Sequence, residues 1–387
     1  MIPYGKQSIN EDDIDAVLKV LKSDFITQGN AVPAFERELS KSCDVPYVTV
    51  VNSATSALHL ACLALGLGPG DTAWTTPISF VATANCIRYC GANVDFVDID
   101  PGTFNLCPLR LAEKLNFHRK KGLPLPKVVI PVHMCGQSCD MKAIFDLSLE
   151  YGFKVLEDGA HAIGAHFHDR PVGCSDYSDA TVFSFHPVKI ITTGEGGAVL
   201  TRNQEIAEKV ALLRSHGVTR DPEKMDQEPD GSWYYQQVDL GFNFRMTDLQ
   251  AALGLSQLER LDQFIETRQK LADRYTRLLA DLPLKLPEVK SGCFSAWHLF
   301  VIRLNLEQIA LSHKEVFEQL REAGIGVNLH YIPIYRQPYY RKSGFEGFSL
   351  PESEAYYQEA ITLPLFPSMT EPQQDEVCSA LQKVLSQ

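Results

Sequence analysis

No stretch of this 387-residue chain approaches the ~20 consecutive apolar residues that a membrane-crossing helix needs, so no membrane partner is expected. Positive charge is in deficit. Against 48 acidic residues stand 36 lysines and arginines, a formal net charge of -12 that repels nucleic-acid phosphates, so no nucleic acid is expected either. Internal repeats, low-complexity tracts and long charge runs are missing, which sets aside solenoids and extended tails. The opening residues, "MIPYGKQSINEDD", hold no basic segment ahead of an apolar one, and the expectation is a cytoplasmic enzyme. Ten cysteines without such a signal are expected as small buried hydrophobes rather than as a disulfide framework. In "PVHMCGQSCD", His133, Cys135 and Cys139 are of metal-ligating type, but no second pair at finger-like spacing completes a tetrahedral set. A strand end with a tight turn at Gly136 is the plainer reading, and no metal is expected.

What is present is an ordinary globular composition, 45% hydrophobic, in a chain long enough for two domains. In "INEDDIDAVLKVLKS", Ile14, Val17, Leu18 and Leu21 share a helical face behind a cap at Asn10. In "VVNSATSALHLACLALGLGPGD" a β-branched run ends at Asn52-Ser53, and a helix carrying Leu58, Ala61, Cys62 and Leu65 follows until the glycines stop it. Short apolar runs come next, "TAWTT", "NVDFVDI", "KVVIPVH", "FKVLED", "TVFSF" and "GAVLT", most of them separated by helical stretches. That alternation predicts an α/β domain with a mostly parallel sheet over residues 1–245. From "RMTDLQAALGLSQL" onward, long helices and strands such as "WHLFVIRL" predict a smaller α+β domain over 246–387.

Three features fall where α/β folds place active sites, at the carboxyl ends of strands. Asp158 ends "FKVLED", Lys189 sits in an apolar run just past "TVFSF", and the amides of Ala54 and Thr55 open a helix. Pyridoxal phosphate needs a lysine for its aldehyde, a carboxylate for its ring nitrogen and an anion site for its phosphate. Apolar surroundings would lower the pKa of Lys189 and yield the free amine. The helix N-terminus, with the Ser184 hydroxyl, would meet the phosphate. On these residues alone a nucleotide-binding α/β protein stays open as the other reading.

The segment "SFHPVKIITTGEGGAV" is similar to the lysine segment of the DegT/DnrJ/EryC1/StrS sugar aminotransferases, which are fold-type I pyridoxal phosphate enzymes. It is joined in order by "TQG", "NSATSAL", "TTPISFVATAN", "EDGAHAIGA", "RSHG", "GFNFRMTDLQAALGLSQL" and "HYIPIY", so the resemblance spans nearly the whole chain. It implies a large domain with a mostly parallel seven-stranded sheet. It further implies that Lys189 bonds the cofactor's aldehyde and serves as acid and base, that Asp158 pairs with the ring nitrogen and that Phe80 stacks on the ring. His161 would meet the phenolic oxygen. Ala54, Thr55 and Ser184 would hold the phosphate with Asn243 of a second subunit, which makes the expected assembly a homodimer with shared active sites. Plainer roles stay open: Phe80 in the core, His161 on a backbone carbonyl, Asn243 as a helix cap.

The implied reaction moves an amino group from L-glutamate to C4 of a nucleotide-linked 4-keto-6-deoxy sugar. Within the family, "NSATSAL", "TTPISFVATAN" and "HYIPIY" most resemble the branch that acts on a UDP-linked 2-acetamido-2,6-dideoxy-4-ketohexose on the route to pseudaminic acid. By that likeness Tyr4, Asp24, Phe25, Ile26, Thr27, His330, Tyr331, Ile332 and Pro333 line the sugar-nucleotide site. A sister branch that removes a sugar hydroxyl carries histidine in place of the lysine, and Lys189 therefore points to amino transfer. The alternatives are another UDP-, dTDP- or GDP-4-keto sugar, or a non-catalytic cofactor-binding regulator.

Overall fold

Runs rich in β-branched residues pack well on a pleated surface, and here they build one central sheet. A computed structural model of the chain describes residues 1–386. Its large sheet comprises β1 Tyr47–Val51, β2 Thr72–Thr75, β3 Asn93–Phe96, β4 Val128–Ile130, β5 Lys154–Asp158, β6 Ala180–Ser184 and β7 Gly197–Thr201. Across the sheet they lie in the order β1-β7-β6-β5-β4-β2-β3. Neighbours pair in parallel from β6 to β3, while β7 runs antiparallel to both β6 and β1. The expected seven-stranded, mostly parallel sheet is thus present. Every residue of β6 and β7 is buried, as covered central strands require.

Helix α1, Glu11–Leu21, starts at a capping box in which Asn10 and Asp13 satisfy each other's amides. Its docking is not the one its apolar stripe predicts. Ile14, Leu18 and Leu21 are 41–54% exposed, whereas Asp13 is buried and bound by Ser256, Gln257 and Arg260 of the helix Asp248–Leu258 and its C-terminal turn. Helix α2, Ala31–Cys43, packs on that same helix. Helix α3, Ala54–Ala64, follows β1 and is capped by Ser53, whose hydroxyl accepts from the Ser56 amide at 3.1 Å.

The C-terminal part is an antiparallel sheet of Leu284–Lys285, Phe300–Leu304 and Ala360–Leu363 beside the helices His313–Glu322 and Glu371–Leu385. Around the boundary expected at residue 245, two helices connect the parts of the chain. The helix Asp248–Leu258 belongs with α1 and α2, and the next one, Leu261–Leu278, enters both cores. Its Leu261, Phe264 and Ile265 pack with Phe35 and Phe183; its Leu271, Ala272 and Tyr275 pack with Phe300 and Ile361. The chain's start also crosses over, since Ile2 lies in the C-terminal core and its amide donates to Gly324 O at 2.8 Å. No described helix is long and apolar enough to cross a membrane.

Candidate active site

Parallel strands deliver their following loops to one edge of the sheet, and that is where the reactive residues meet. Asp158 ends β5 and is 4% exposed. Its Oδ2 accepts from the Thr83 hydroxyl at 2.7 Å and its Oδ1 from the Ala160 amide at 3.1 Å, so the buried charge has partners on both oxygens. Ser184 ends the adjacent strand β6. Beyond it, residues 185–196 form a loop closed on itself. The Phe185 amide donates to Gly196 O at 2.9 Å, the Thr193 amide and the Thr192 hydroxyl return to Phe185 O at 3.0 Å, and the Thr193 hydroxyl donates to Glu195 O at 2.7 Å. The two threonines after the lysine therefore hold the loop shut. Lys189 projects from it, half-buried, with Ile190 and Ile191 packed into the core behind.

Gly197 fixes the position of the helix that opens beside this loop. It pairs with Ser184 across β6 and β7, and a Cβ added to it would lie 2.6 Å from the Ala54 nitrogen and 2.7 Å from the Ala54 Cα. Only a glycine lets the start of α3 come so close. The first-turn amides of Ala54 and Thr55, which no intrahelical carbonyl can reach, are held next to Ser184 by this contact. Thr83 and Gly197 were not singled out from the sequence, although both lie within quoted motifs.

The opposite wall comes from the C-terminal part and from the first residues of the chain. The His330 Nδ1 is 2.9 Å from the Thr362 hydroxyl and its Nε2 is 3.3 Å from Asn328 Nδ2, so both ring nitrogens are engaged within the wall. Its ring lies 5.2 Å from that of Tyr4, while Gly5 faces Val188 beside the lysine. The Tyr331 hydroxyl meets His161 Nε2 at 3.3 Å, and the two rings are nearly parallel. Phe80 is 58% exposed with its ring 6.2 Å from that of Tyr331, which removes the plainer reading of a core residue. Among the described residues His161 bonds no backbone carbonyl, and its Nδ1 is buried without a partner there. A further histidine, His298, around which no motif stands, has its ring 4.4 Å from that of His161 and a likewise unpartnered Nδ1. Ile332 is exposed and Pro333 buried, on a segment tied to the Phe80 loop by the Ile334 amide, 3.0 Å from Pro77 O.

Two groups of expected residues are not joined to this cluster within one chain. Asp24, Phe25, Ile26 and Thr27 form an exposed loop, and the Asp248 carboxylate fastens the turn that follows by accepting from the amides of Gly29, Ala31 and Val32. Asn243 is exposed and bridges to Ser215. It does not cap the helix at 248, because Thr247 and Gln250 form that capping box themselves.

Electrostatically the pocket isolates one amine. Burial, opposed by the Asp158 carboxylate, pulls the Lys189 ammonium down to about 8 from its usual 10.5. Burial and the neighbouring Lys189 keep His330 neutral down to about pH 3. The same two causes hold His161 well below its ordinary range, and His298 follows through burial, His161 and Lys189. The Tyr331 phenol is held protonated by burial and by Asp158. A lysine that can lose its proton near neutrality thus sits among neutral imidazoles and one buried carboxylate. Outside the pocket, His133 accepts from the Cys139 amide at 3.0 Å on Nδ1 and donates to Glu157 Oε2 at 2.7 Å from Nε2, so neither nitrogen is free to ligate a metal.

This donor set fits pyridoxal phosphate: a depressed lysine, a buried carboxylate, an exposed aromatic face, an orphaned imidazole nitrogen and free helix amides beside a hydroxyl. Residues 7–382 match the sequence profile of the DegT/DnrJ/EryC1/StrS aminotransferase family. The chain belongs to that family. It is 37% identical to the spore coat polysaccharide biosynthesis protein SpsC of Bacillus subtilis over 99% of this chain and 97% of SpsC. Helicobacter pylori PseC, described as an aminotransferase of pseudaminic acid biosynthesis, superposes with a TM-score of 0.90 at 31% identity, covering 100% of this chain and 99% of PseC. The putative sugar aminotransferase Spr1654 of Streptococcus pneumoniae, solved in pyridoxamine and pyridoxal phosphate forms, gives TM-scores of 0.89 and 0.88 at 29% and 28% identity, covering 100% of this chain and 99% and 98% of Spr1654. The protein is accordingly a pyridoxal phosphate-dependent sugar aminotransferase of fold type I, taking an amino donor and a sugar substrate.

Proposed function

We propose that the protein transfers the amino group of L-glutamate to C4 of a nucleotide-linked 4-keto-6-deoxy sugar, and that its substrate is the UDP-linked 2-acetamido-2,6-dideoxy-4-ketohexose of the pseudaminic acid route. The observation that carries this reading is the full-length likeness to PseC, at 31% identity, combined with the depressed Lys189 amine in the pocket. A second reading, a different 4-keto sugar bound for a surface polysaccharide, is favoured by the 37% identity to SpsC.

Bound pyridoxal phosphate supplies the electron sink and carries nitrogen between donor and acceptor. In this proposal Asp158 faces the ring nitrogen with an ionised carboxylate, Phe80 covers one face of the ring, and His161 Nδ1 meets the phenolic oxygen. Ala54, Thr55 and Ser184 cradle the phosphate, completed by Asn243 reaching across a homodimer. The first-turn amides and helix dipole there favour an anion. Lys189 Nζ, neutral in roughly one tenth of molecules at pH 7 with a pKa near 8, takes the proton from Cα of the donor. It later returns a proton to the sugar carbon, from the face it occupies. Tyr4 and the 330–333 segment, joined by the packing of the Tyr4 and His330 rings, exclude water and meet the sugar. The Asp24–Thr27 loop, unattached to the pocket within its own chain, lines the site at the dimer boundary.

The test is incubation of the purified protein with L-glutamate and a panel of UDP-, dTDP- and GDP-4-keto sugars, with products read by NMR. The first reading expects fastest turnover of the UDP-linked N-acetyl sugar and an amine at C4. Equal or faster turnover of a sugar lacking the 2-acetamido group would decide for the second.

A further inference from the structure

Asp158 does not stand alone at the end of β5. Behind it runs a line of buried hydroxyls: Ser79 Oγ lies 2.7 Å from Thr83 Oγ1, and Thr83 Oγ1 lies 2.7 Å from Asp158 Oδ2. Ser79 is 4% exposed, Thr83 1% and Asp158 4%, so water does not compete for these contacts. The direction of the line follows from counting protons. An ionised carboxylate only accepts, so the single Thr83 proton goes to Oδ2; the Ser79 proton must then go to Thr83. Each hydroxyl polarises the next toward the carboxylate, and hydrogen bonds to charged groups in a dry site are the strong ones. Ser79 and Thr83 are four residues apart, the first in the loop after β2 and the second in the first turn of the helix Ala82–Tyr89, and the chain's turn into that helix brings their hydroxyls together.

The Ala160 amide takes Oδ1, and Lys189 and Tyr331 are the other groups close enough to sense the Asp158 charge. Of the two hydrogen bonds to the carboxylate oxygens, the Ala160 bond is local, two residues on, and the Thr83 bond comes from another element, the segment that follows β2. It ties the orientation of the carboxylate to the same loop that presents Phe80. We propose that Thr83, backed by Ser79, is a positioning residue that aims and sustains the negative charge of Asp158 toward the ring nitrogen of the cofactor, an inference resting on the placement of Asp158 in the proposed function.

A merely structural threonine and a charge-positioning one are separated by two ligands. Apoprotein is titrated with pyridoxal 5′-phosphate and with its 1-deaza analogue, in which a C–H replaces the ring nitrogen, for wild type, Thr83→Val, Thr83→Ser and Ser79→Ala. Thr83→Val is expected to bind pyridoxal phosphate roughly tenfold or more weakly while binding the deaza analogue as wild type does, because only the former contains the nitrogen that Asp158 must meet. Thr83→Ser keeps the donor and is expected to restore wild-type affinity. Ser79→Ala, one step removed, should show a smaller loss of the same kind, about two- to threefold. Should Thr83→Val not fold, the Ser79→Ala pair of titrations carries the decision alone. Equal weakening for both ligands, or none for either, overturns the relay. A wild type that does not distinguish the two ligands overturns the placement of Asp158 itself, and the inference with it.

Discussion

The depressed lysine gives a quantitative expectation for how the apoprotein captures its cofactor. With a pKa of about 8 the free-amine fraction at pH 7 is roughly one in ten, whereas at the ordinary value of 10.5 it would be roughly one in three thousand. The pH profile of capture, followed by stopped-flow absorbance and corrected for the ligand's own titration, should therefore have its midpoint near pH 8 and level off above it. Asp158 sets the sign of the second arm. Its carboxylate raises the Lys189 value, so Asp158→Asn should move the midpoint below the wild-type one even as it weakens the final complex. Stability gives an independent reading of the same shift. The native state holds the proton less firmly than the unfolded chain, so between about pH 8 and 10.5 the unfolded state binds more protons and stability rises with pH. Below pH 8 the buried ammonium costs about 3 kcal/mol. Apo Lys189→Met should then melt above the wild type at pH 7, with an advantage that shrinks as the pH passes through that window. A capture midpoint at pH 10 or above, or an upward shift in Asp158→Asn, would refute the burial argument.

Two further substitutions probe the scaffold that brings the residues together. Gly197→Ala puts a methyl 2.6–2.7 Å from backbone atoms of Ser53 and Ala54 that cannot rotate away, so α3 must shift. A loss of about 1–3 kcal/mol is expected, with a larger loss of affinity for pyridoxal phosphate than for pyridoxal; retention of both affinities would show the close approach to be incidental. Arg268→Ala removes a buried guanidinium whose Nη1 donates to the carbonyls of Trp297, His298 and Leu365 at 3.1–3.2 Å, leaving them unpaired between the two cores. Its cost should be about 3 kcal/mol or more by thermal melting, with Arg268→Lys recovering only part; a melting point within a degree of wild type would contradict the bridging role.

Lys189 and Asp158 were legible because each breaks a local rule: an ammonium among valine and isoleucines, and an acid at the end of a buried strand. Ala54 and Thr55 followed from the helix start alone. The residues that support them were not legible, since their partners are distant in sequence. Thr83 meets Asp158 across 75 positions, and Gly197 is needed only because α3 starts beside it. His298 carries no pattern around it, and only the fold puts its ring against His161. Helix α1 shows the converse, a clear apolar stripe left exposed in the chain while a buried Asp13 does the docking. Periodicity reports that a face will be covered and not by what. The helix Leu261–Leu278 shows a related limit: its amphipathic period is plain in the sequence, but that its two halves serve two different cores is not.

The most direct test of Lys189 as the group that moves the proton is transfer of label from 15N-glutamate, under single-turnover conditions, to a UDP-linked 4-keto sugar by wild type and by Lys189→Ala saturated with cofactor. The wild type should place 15N on C4 of the sugar, and Lys189→Ala should retain the cofactor without forming the labelled product. Labelled amino sugar from Lys189→Ala at a rate near that of wild type would contradict the central role of this lysine.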